Sequence, residues 1–193
     1  MQDRTRDLGG SAPLLESALR QFATVGFDGA SLQRIAADAG LSKSSVLYHF
    51  ASKEALLDAA LRPAVDELAV LVEEIVALTD DDSRQVFLVR FVDYLYEHRL
   101  AIAVIFNHGQ ALAGRRVVDR ADGLVRDLAL RLQPVGGDER DTLRFGVALA
   151  GAAFMLVAAD RWAVSHVPDE QVRAGLIDVL GELVLGRPAS LPA

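Results

Sequence analysis

The chain has 193 residues, 51% of them hydrophobic and 24% charged, a length that fits one compact domain or a small domain joined to a larger one and excludes a long multidomain enzyme. That apolar share is enough for a substantial core and excludes a disordered chain. Cysteine is absent and the net charge is −7, so disulfides, thiolate zinc sites, iron–sulfur clusters and a cysteine nucleophile are excluded, and an intracellular, cytoplasmic protein is expected.

The opening segment, Met1 to Asp7, carries both signs of charge, and no apolar stretch that could act as a signal peptide follows it. Glycines, prolines and capping residues then divide the chain into helical lengths. No segment shows the alternation over β-branched residues that marks a strand, so an all-α fold is expected. Ser11 reads as the cap of a first helix with Pro13 in its first turn; Leu15, Leu19, Phe22 and Ala23 repeat at helical spacing until Gly26 ends it. Ser31 caps a second helix of about two turns, with Leu32, Ile35 and Ala36 on one face and Gly40 closing it. Ser42 caps a third, whose apolar face is Val46, Leu47 and Phe50, and Ser52 caps a fourth that opens with Lys53-Glu54-Ala55-Leu56-Leu57.

Longer helices are expected over about 53–79 with a bend at Pro63, then 83–98, 100–113, 115–133, 139–165 and 169–185, about nine in all. The longest uncharged run, the fifteen residues from Phe145 to Ala159, would reach about 23 Å as a helix against a hydrocarbon core of roughly 30 Å. It reads as a buried helix, and no membrane partner is implied. Asp80-Asp81-Asp82 reads as the polar loop and acidic flank of the next helix rather than a metal site, and the tail Arg187 to Ala193 as frayed.

Charge is unevenly placed. Residues 1–53 hold six basic groups against five acidic ones, and both lysines of the chain, Lys43 and Lys53, fall there; residues 54–193 hold 14 against 22. The acidity that argues against a nucleic-acid partner therefore belongs to the C-terminal part. Two short helices joined by a tight turn at Gly40 match a helix-turn-helix, in which the second helix enters the major groove of DNA and the first crosses the backbone. With Ile35, Ala36, Leu41, Val46, Leu47 and Phe50 placed inward, Ser42, Lys43, Ser44, Ser45, Tyr48 and His49 face outward. Every one of them can donate a hydrogen bond, and no carboxylate interrupts the face.

The run Ala36-Ala-Asp-Ala-Gly-Leu-Ser-Lys-Ser-Ser-Val-Leu-Tyr-His-Phe50, followed by Ser52-Lys-Glu-Ala-Leu-Leu57 and preceded by Gly26-Phe-Asp-Gly-Ala-Ser31, resembles the tetracycline-repressor-like (TetR) transcriptional regulators. The resemblance covers Leu15 to roughly Leu61; beyond it only the helix pattern agrees. Ser44 and Ser45 stand where the family often has Gly and Thr. The resemblance implies that Ser31 caps the second helix beside a phosphate, that Tyr48 and His49 touch backbone phosphates, and that Lys53 does so at the start of the fourth helix. Ser42, Lys43, Ser44 and Ser45 are then the candidates for reading bases. The expected organisation is a three-helix DNA-binding domain over 1–53 and a helical bundle for ligand binding and dimerisation over 54–193.

The second half offers no catalytic constellation. His49, His98, His108 and His166 are scattered, no Glu-x-x-His pair or phosphate-cradling loop is present, and neither a metal nor a cofactor is implied. The small residues of Gly146 to Ala153 permit close helix approach, so the last two long helices are expected to join two copies into a homodimer that spaces two recognition helices for a palindromic operator. Phe87, Phe91, Tyr94, His98, Phe106, Asn107, Phe154 and Trp162 are the candidates for a pocket between helices. Tyr94, His98 and Asn107 would orient a largely apolar small-molecule effector. The expected function is a ligand-responsive repressor and not an enzyme; a carrier or structural dimer with a vestigial helix-turn-helix, and a helical-bundle enzyme, are the alternatives.

Overall fold

The computed structural model describes residues 12–75, 81–131, 139–158 and 166–185. Among the described residues the chain forms nine α-helices and no strand: α1 Ala12–Gly29, α2 Leu32–Asp38, α3 Lys43–His49, α4 Lys53–Glu74, α5 Asp81–Glu97, α6 Arg99–His108, α7 Arg116–Arg131, α8 Glu139–Val157 and α9 Asp169–Leu185. The cap expected at Ser11, the helical stretches expected over 76–79, 132–133 and 159–165, Trp162 and the tail lie outside the described residues. Helix α4 continues through Pro63. The helix expected over 100–113 is instead α6 followed by a 3-10 turn, Gly109–Leu112, which ends before Gly114 at φ 83.

Short helices need caps, and the sequence supplies them. The Ser42 hydroxyl accepts the Ser45 amide at 3.1 Å and the Ser52 hydroxyl accepts the Ala55 amide at 3.1 Å, each satisfying one of the donors that a helix start leaves open. Ser31 also precedes its helix in an extended conformation, but its hydroxyl makes no capping bond. Gly40, at φ 70, makes the turn between α2 and α3 in a backbone region that side chains disfavour.

Two apolar clusters fill the interior. One joins α1, α2, α3 and the first half of α4 through Leu14, Phe22, Ile35, Val46, Leu56 and Leu61, and it also takes Ala101 and Val104 of α6, Leu112 of the 3-10 turn and Val118 of α7. The other is built on Leu68, Leu71, Phe87, Phe91, Leu95, Ile102, Leu149, Ile177 and Leu180. Each fully buried Leu, Ile or Phe contributes about 1.5–3 kcal/mol. Helix α6 feeds both clusters, since Ala101 and Val104 lie in the first and Ile102 in the second.

Where α1 meets α6 the chain bends at Gly26, whose φ of 73 and ψ of 174 lie in a region accessible almost only to glycine. Beyond the bend Phe27 stacks on Phe22, ring centroids 5.7 Å apart. His108 fills the space on the other side: a Cβ on Gly26 would come within 3.3 Å of its ring, whose Nε2 lies 3.2 Å from the Ala23 carbonyl. A further tie is Ser17, which is buried and donates to the Ile35 carbonyl at 3.0 Å, fastening α1 to α2. Gly26→Ala should therefore lower unfolding stability by about 1–3 kcal/mol through backbone strain, measured by denaturant titration; a change below a few tenths would show that the bend relaxes freely.

Candidate nucleic-acid interface and cavity

Helix α3 has room for one apolar stripe. Val46 occupies it and is fully buried, while Leu41 and Phe50 flank it half-buried. Leu47, expected on the inner face, is instead 42% exposed. One step along a helix turns about 100°, which carries Leu47 from the buried seam to its rim.

The rest of the helix faces solvent. Tyr48 is 87% exposed and packs edge-on against His49, ring centroids 5.3 Å apart. Lys43 is exposed and has no carboxylate partner among the described residues. Ser42 Oγ lies 2.8 Å from both Ser44 Oγ and Ser45 Oγ, so the three hydroxyls satisfy one another until a better acceptor arrives. The fold thus brings Ser42, Lys43, Ser44, Ser45, Tyr48 and His49 together on one accessible helix. Ser31 opens α2, half-buried, with its hydroxyl unused as a cap.

Lys53 is placed differently from the others. Its ammonium donates to the carbonyls of Phe27 at 2.7 Å and Ala30 at 3.1 Å and sits 4.4 Å from the centre of the Phe27 ring. The Arg115 guanidinium, from just before α7, lies 4.0 Å from the centre of the same ring. Phe27 therefore holds two cations, one from each half of the chain, by its π face. The Glu54 carboxyl beside them is held below the usual carboxylate range, first by a backbone hydrogen bond at the helix start and then by the Ser52 hydroxyl, with Arg115 and Lys53 adding to it. Arg115 carries no local sequence pattern that would have marked it; only the fold brings it to Phe27.

A cavity of about 300 Å³ opens between α4, α5, α6, α7 and α8. Its walls are Val65 and Leu68, then Phe91, Tyr94 and Leu95, then Ile102, Ile105 and Phe106, closed by apolar residues of α7 and α8 such as Val125, Leu128, Phe145 and Leu149. Of the sequence candidates, Phe91, Tyr94 and Phe106 line it. Phe87 is buried in the neighbouring cluster, Phe154 is partly exposed, Asn107 is exposed, and none of these three lines the cavity. His98 also stays outside: its Nε2 lies 2.8 Å from Glu67 Oε2, and Glu97 completes a group whose ligand atoms lie within 4.8 Å of one another. Glu67 lies 31 residues from His98 in sequence, so no local motif announces the group. Burial, and secondarily the charge of Glu67, push the Tyr94 hydroxyl far above the ordinary phenol range, and it stays a neutral hydrogen-bonding group.

The arrangement of α2, α3 and the exposed donor face of α3 is that of a helix-turn-helix, and the comparisons agree. Residues 14–60 match the family described as bacterial regulatory proteins, tetR family. The transcriptional repressor SCO4008 of Streptomyces coelicolor is 26% identical over 156 residues, covering 79% of this chain and 77% of that protein. The transcriptional regulator RutR of Escherichia coli K12 is 49% identical over 53 residues, 28% of this chain and a quarter of RutR (25%). Among solved structures, the ketosteroid transcriptional regulator KstR2 of Mycobacterium tuberculosis superposes with a TM-score of 0.67 at 21% identity, covering 97% of each chain. A TetR-like regulator from Rhodococcus sp. RHA1 gives 0.61 at 18% identity, covering 92% of this chain and 97% of that one. At such identities the structural likeness is one of fold. The likeness to TetR-like transcriptional regulators therefore lies in the helix-turn-helix over residues 14–60 and, beyond it, in the fold. No helix among the described residues is long and apolar enough to cross a membrane.

Because Lys53 closes the carbonyl end of α1, Lys53→Ala should lower stability by about 1–3 kcal/mol through the unpaired carbonyls, read by urea unfolding. A variant that binds DNA more weakly at unchanged stability would instead assign Lys53 mainly to phosphate.

Proposed function

We propose that the protein is a homodimeric repressor that leaves a palindromic operator when a largely apolar small molecule occupies the cavity. The observation that carries this reading is the face of α3, where Lys43, Tyr48 and His49 are exposed and uninterrupted by a carboxylate. An almost fully exposed tyrosine gains nothing from water that a smaller side chain would lack, whereas beside a duplex its hydroxyl reaches phosphate and its ring excludes water. Lys43, Ser42, Ser44 and Ser45 are the candidates for base edges; Ser31, Tyr48, His49 and Lys53 are the candidates for phosphates.

Dimerisation is supported by the outer face of α8, where Leu143 and Val147 are 67% and 66% exposed, with Gly146, Ala150 and Gly151 between them and Phe154 and with Val179 and Leu183 exposed on α9. Large apolar side chains interleaved with small ones make a self-complementary surface for a two-fold contact. DNA binding belongs to the domain over 1–53, and ligand binding and pairing to 54–193. Helix α6 supports the coupling between them. Ile102, Ile105 and Phe106 wall the cavity while Ala101 and Val104 pack in the first cluster, so a ligand that favours one seat of α6 lowers operator affinity by its differential affinity for the two states.

Lys43→Ala should weaken operator binding, and the slope of log affinity against log salt should become shallower by about 0.9 if a phosphate contact is lost; fluorescence anisotropy across a salt series checks both. Tyr48→Phe should weaken binding with the fold intact, and unchanged binding in both variants would remove this face from the interface. Val147→Asp should shift the protein toward monomer in sedimentation velocity, and an unshifted dimer would place pairing elsewhere.

A further inference from the structure

The cavity carries a restriction on its occupant that follows from what its walls lack. Among the described residues every lining side chain is hydrocarbon except that of Tyr94, and no Asp, Glu, Lys, Arg or His is among them. Charged residues that adjoin lining residues of α4 and α7 are engaged in pairs outside it: Arg120 pairs with Asp66 at 2.5 Å, and Glu67 with His98 at 2.8 Å. A charged group brought into such walls loses its hydration and meets no counter-ion. Resting on the reading of this cavity as the effector site, we propose that the effector is electrically neutral and carries one oxygen that hydrogen-bonds the Tyr94 hydroxyl.

Geometry and electrostatics point the same way. Tyr94 is 6% exposed, stacked on Phe91 with centroids 6.4 Å apart and tilted against His98 at 5.1 Å, so its ring is fixed and its hydroxyl is a positioned group. The negative charge of Glu67 is felt at that hydroxyl and opposes its ionisation. The same field repels a ligand carboxylate that approaches it. A hydroxyl, ketone or ester oxygen has neither difficulty: it forms one bond with Tyr94 and leaves the hydrocarbon remainder against Leu68, Ile102 and Leu149.

The test is calorimetric titration of the full chain with a matched set of straight-chain probes: decanol, decanone, decanoate and decylammonium at neutral pH. Decanol and decanone are expected to bind, and the two charged probes to bind on the order of 100-fold more weakly, the equivalent of an unpaired group of a few kcal/mol. Lowering the pH toward the pKa of the free acid should tighten decanoate and leave decanol unchanged. Tyr94→Phe should weaken decanone by about 3–10-fold, the size of one lost hydrogen bond. Val125→Trp, at an exposed position on the cavity wall, should abolish binding without disturbing the core.

The failures separate. If decanoate or decylammonium binds as tightly as decanol and Val125→Trp removes both, the cavity is a ligand site and only the neutrality is wrong. If no probe binds, or Val125→Trp binds decanol as well as the unaltered chain does, the cavity is not the effector site and both readings fall. Tyr94→Phe binding decanone with unchanged affinity would remove the hydrogen bond from the proposal and overturn it in that part.

Discussion

A helix of seven residues does not hold itself together in water: isolated helices below roughly 12–15 residues are marginal because nucleation costs more than a few hydrogen bonds return. Helix α3 is that short and buries one side chain fully, Val46. Its remaining support is the Ser42 hydroxyl and the half-buried Leu41 at one end and the half-buried Phe50 at the other. This economy leaves the donor-bearing face open, since a second buried residue such as Leu47 would turn Tyr48 toward the interior. The arrangement works only because α2, α1 and the start of α4 supply the walls around Val46, through Ile35, Phe22, Leu56 and Leu57.

Those walls do not end where the helix-turn-helix does. Ala101, Val104, Leu112 and Val118 close the same cluster from the bundle, and two polar joints reinforce it: His108 against the bend at Gly26, and Arg115 sharing the Phe27 ring with Lys53. A displacement of α6 by a fraction of an ångström must therefore be absorbed at the bend, at the ring, or by rotation of α1 to α3 as one piece. Packed interiors are dense and change between discrete arrangements rather than deforming smoothly. The head moving as a unit is the least costly of the three, because the other two break charge-assisted or tightly packed contacts.

Local chemistry was legible in the sequence, and tertiary neighbourhoods were not. Serines before apolar runs and glycines after them mark caps and turns through interactions spanning three or four residues, which is why the turn at Gly40 and the starts of α3 and α4 fall at their expected places. The donor face of α3 was readable for the same reason. Leu47 departs from its expected burial because helical spacing says which residues share a face and not how wide the covered strip is. Among the aromatic candidates, periodicity could not separate Phe91 and Tyr94, which line the cavity, from Phe87, which is buried one turn away in the same helix. The pairing of Arg115 with Phe27 and of Glu67 with His98 depends on the path of the chain, and no spacing rule reaches that far.

The uneven charge of the chain acquires a physical sense from the ion pairs. Several arginines of the bundle are used to join helices: Arg90 with Glu74 ties α5 to α4, Arg120 with Asp66 ties α7 to α4, and Arg173 with Asp93 ties α9 to α5. Each such surface pair is worth about 0–1 kcal/mol, so their larger effect is on the field. With these cations neutralised and an excess of carboxylates left over, the bundle repels a polyanion, and it does so over the roughly 8–10 Å that salt permits. Among the described residues of the first fifty, the cations that remain without a carboxylate partner, Arg34 and Lys43, lie on α2 and α3. The field of the molecule would thereby turn a duplex away from the bundle and toward α3, whose outward face carries donors and no carboxylate.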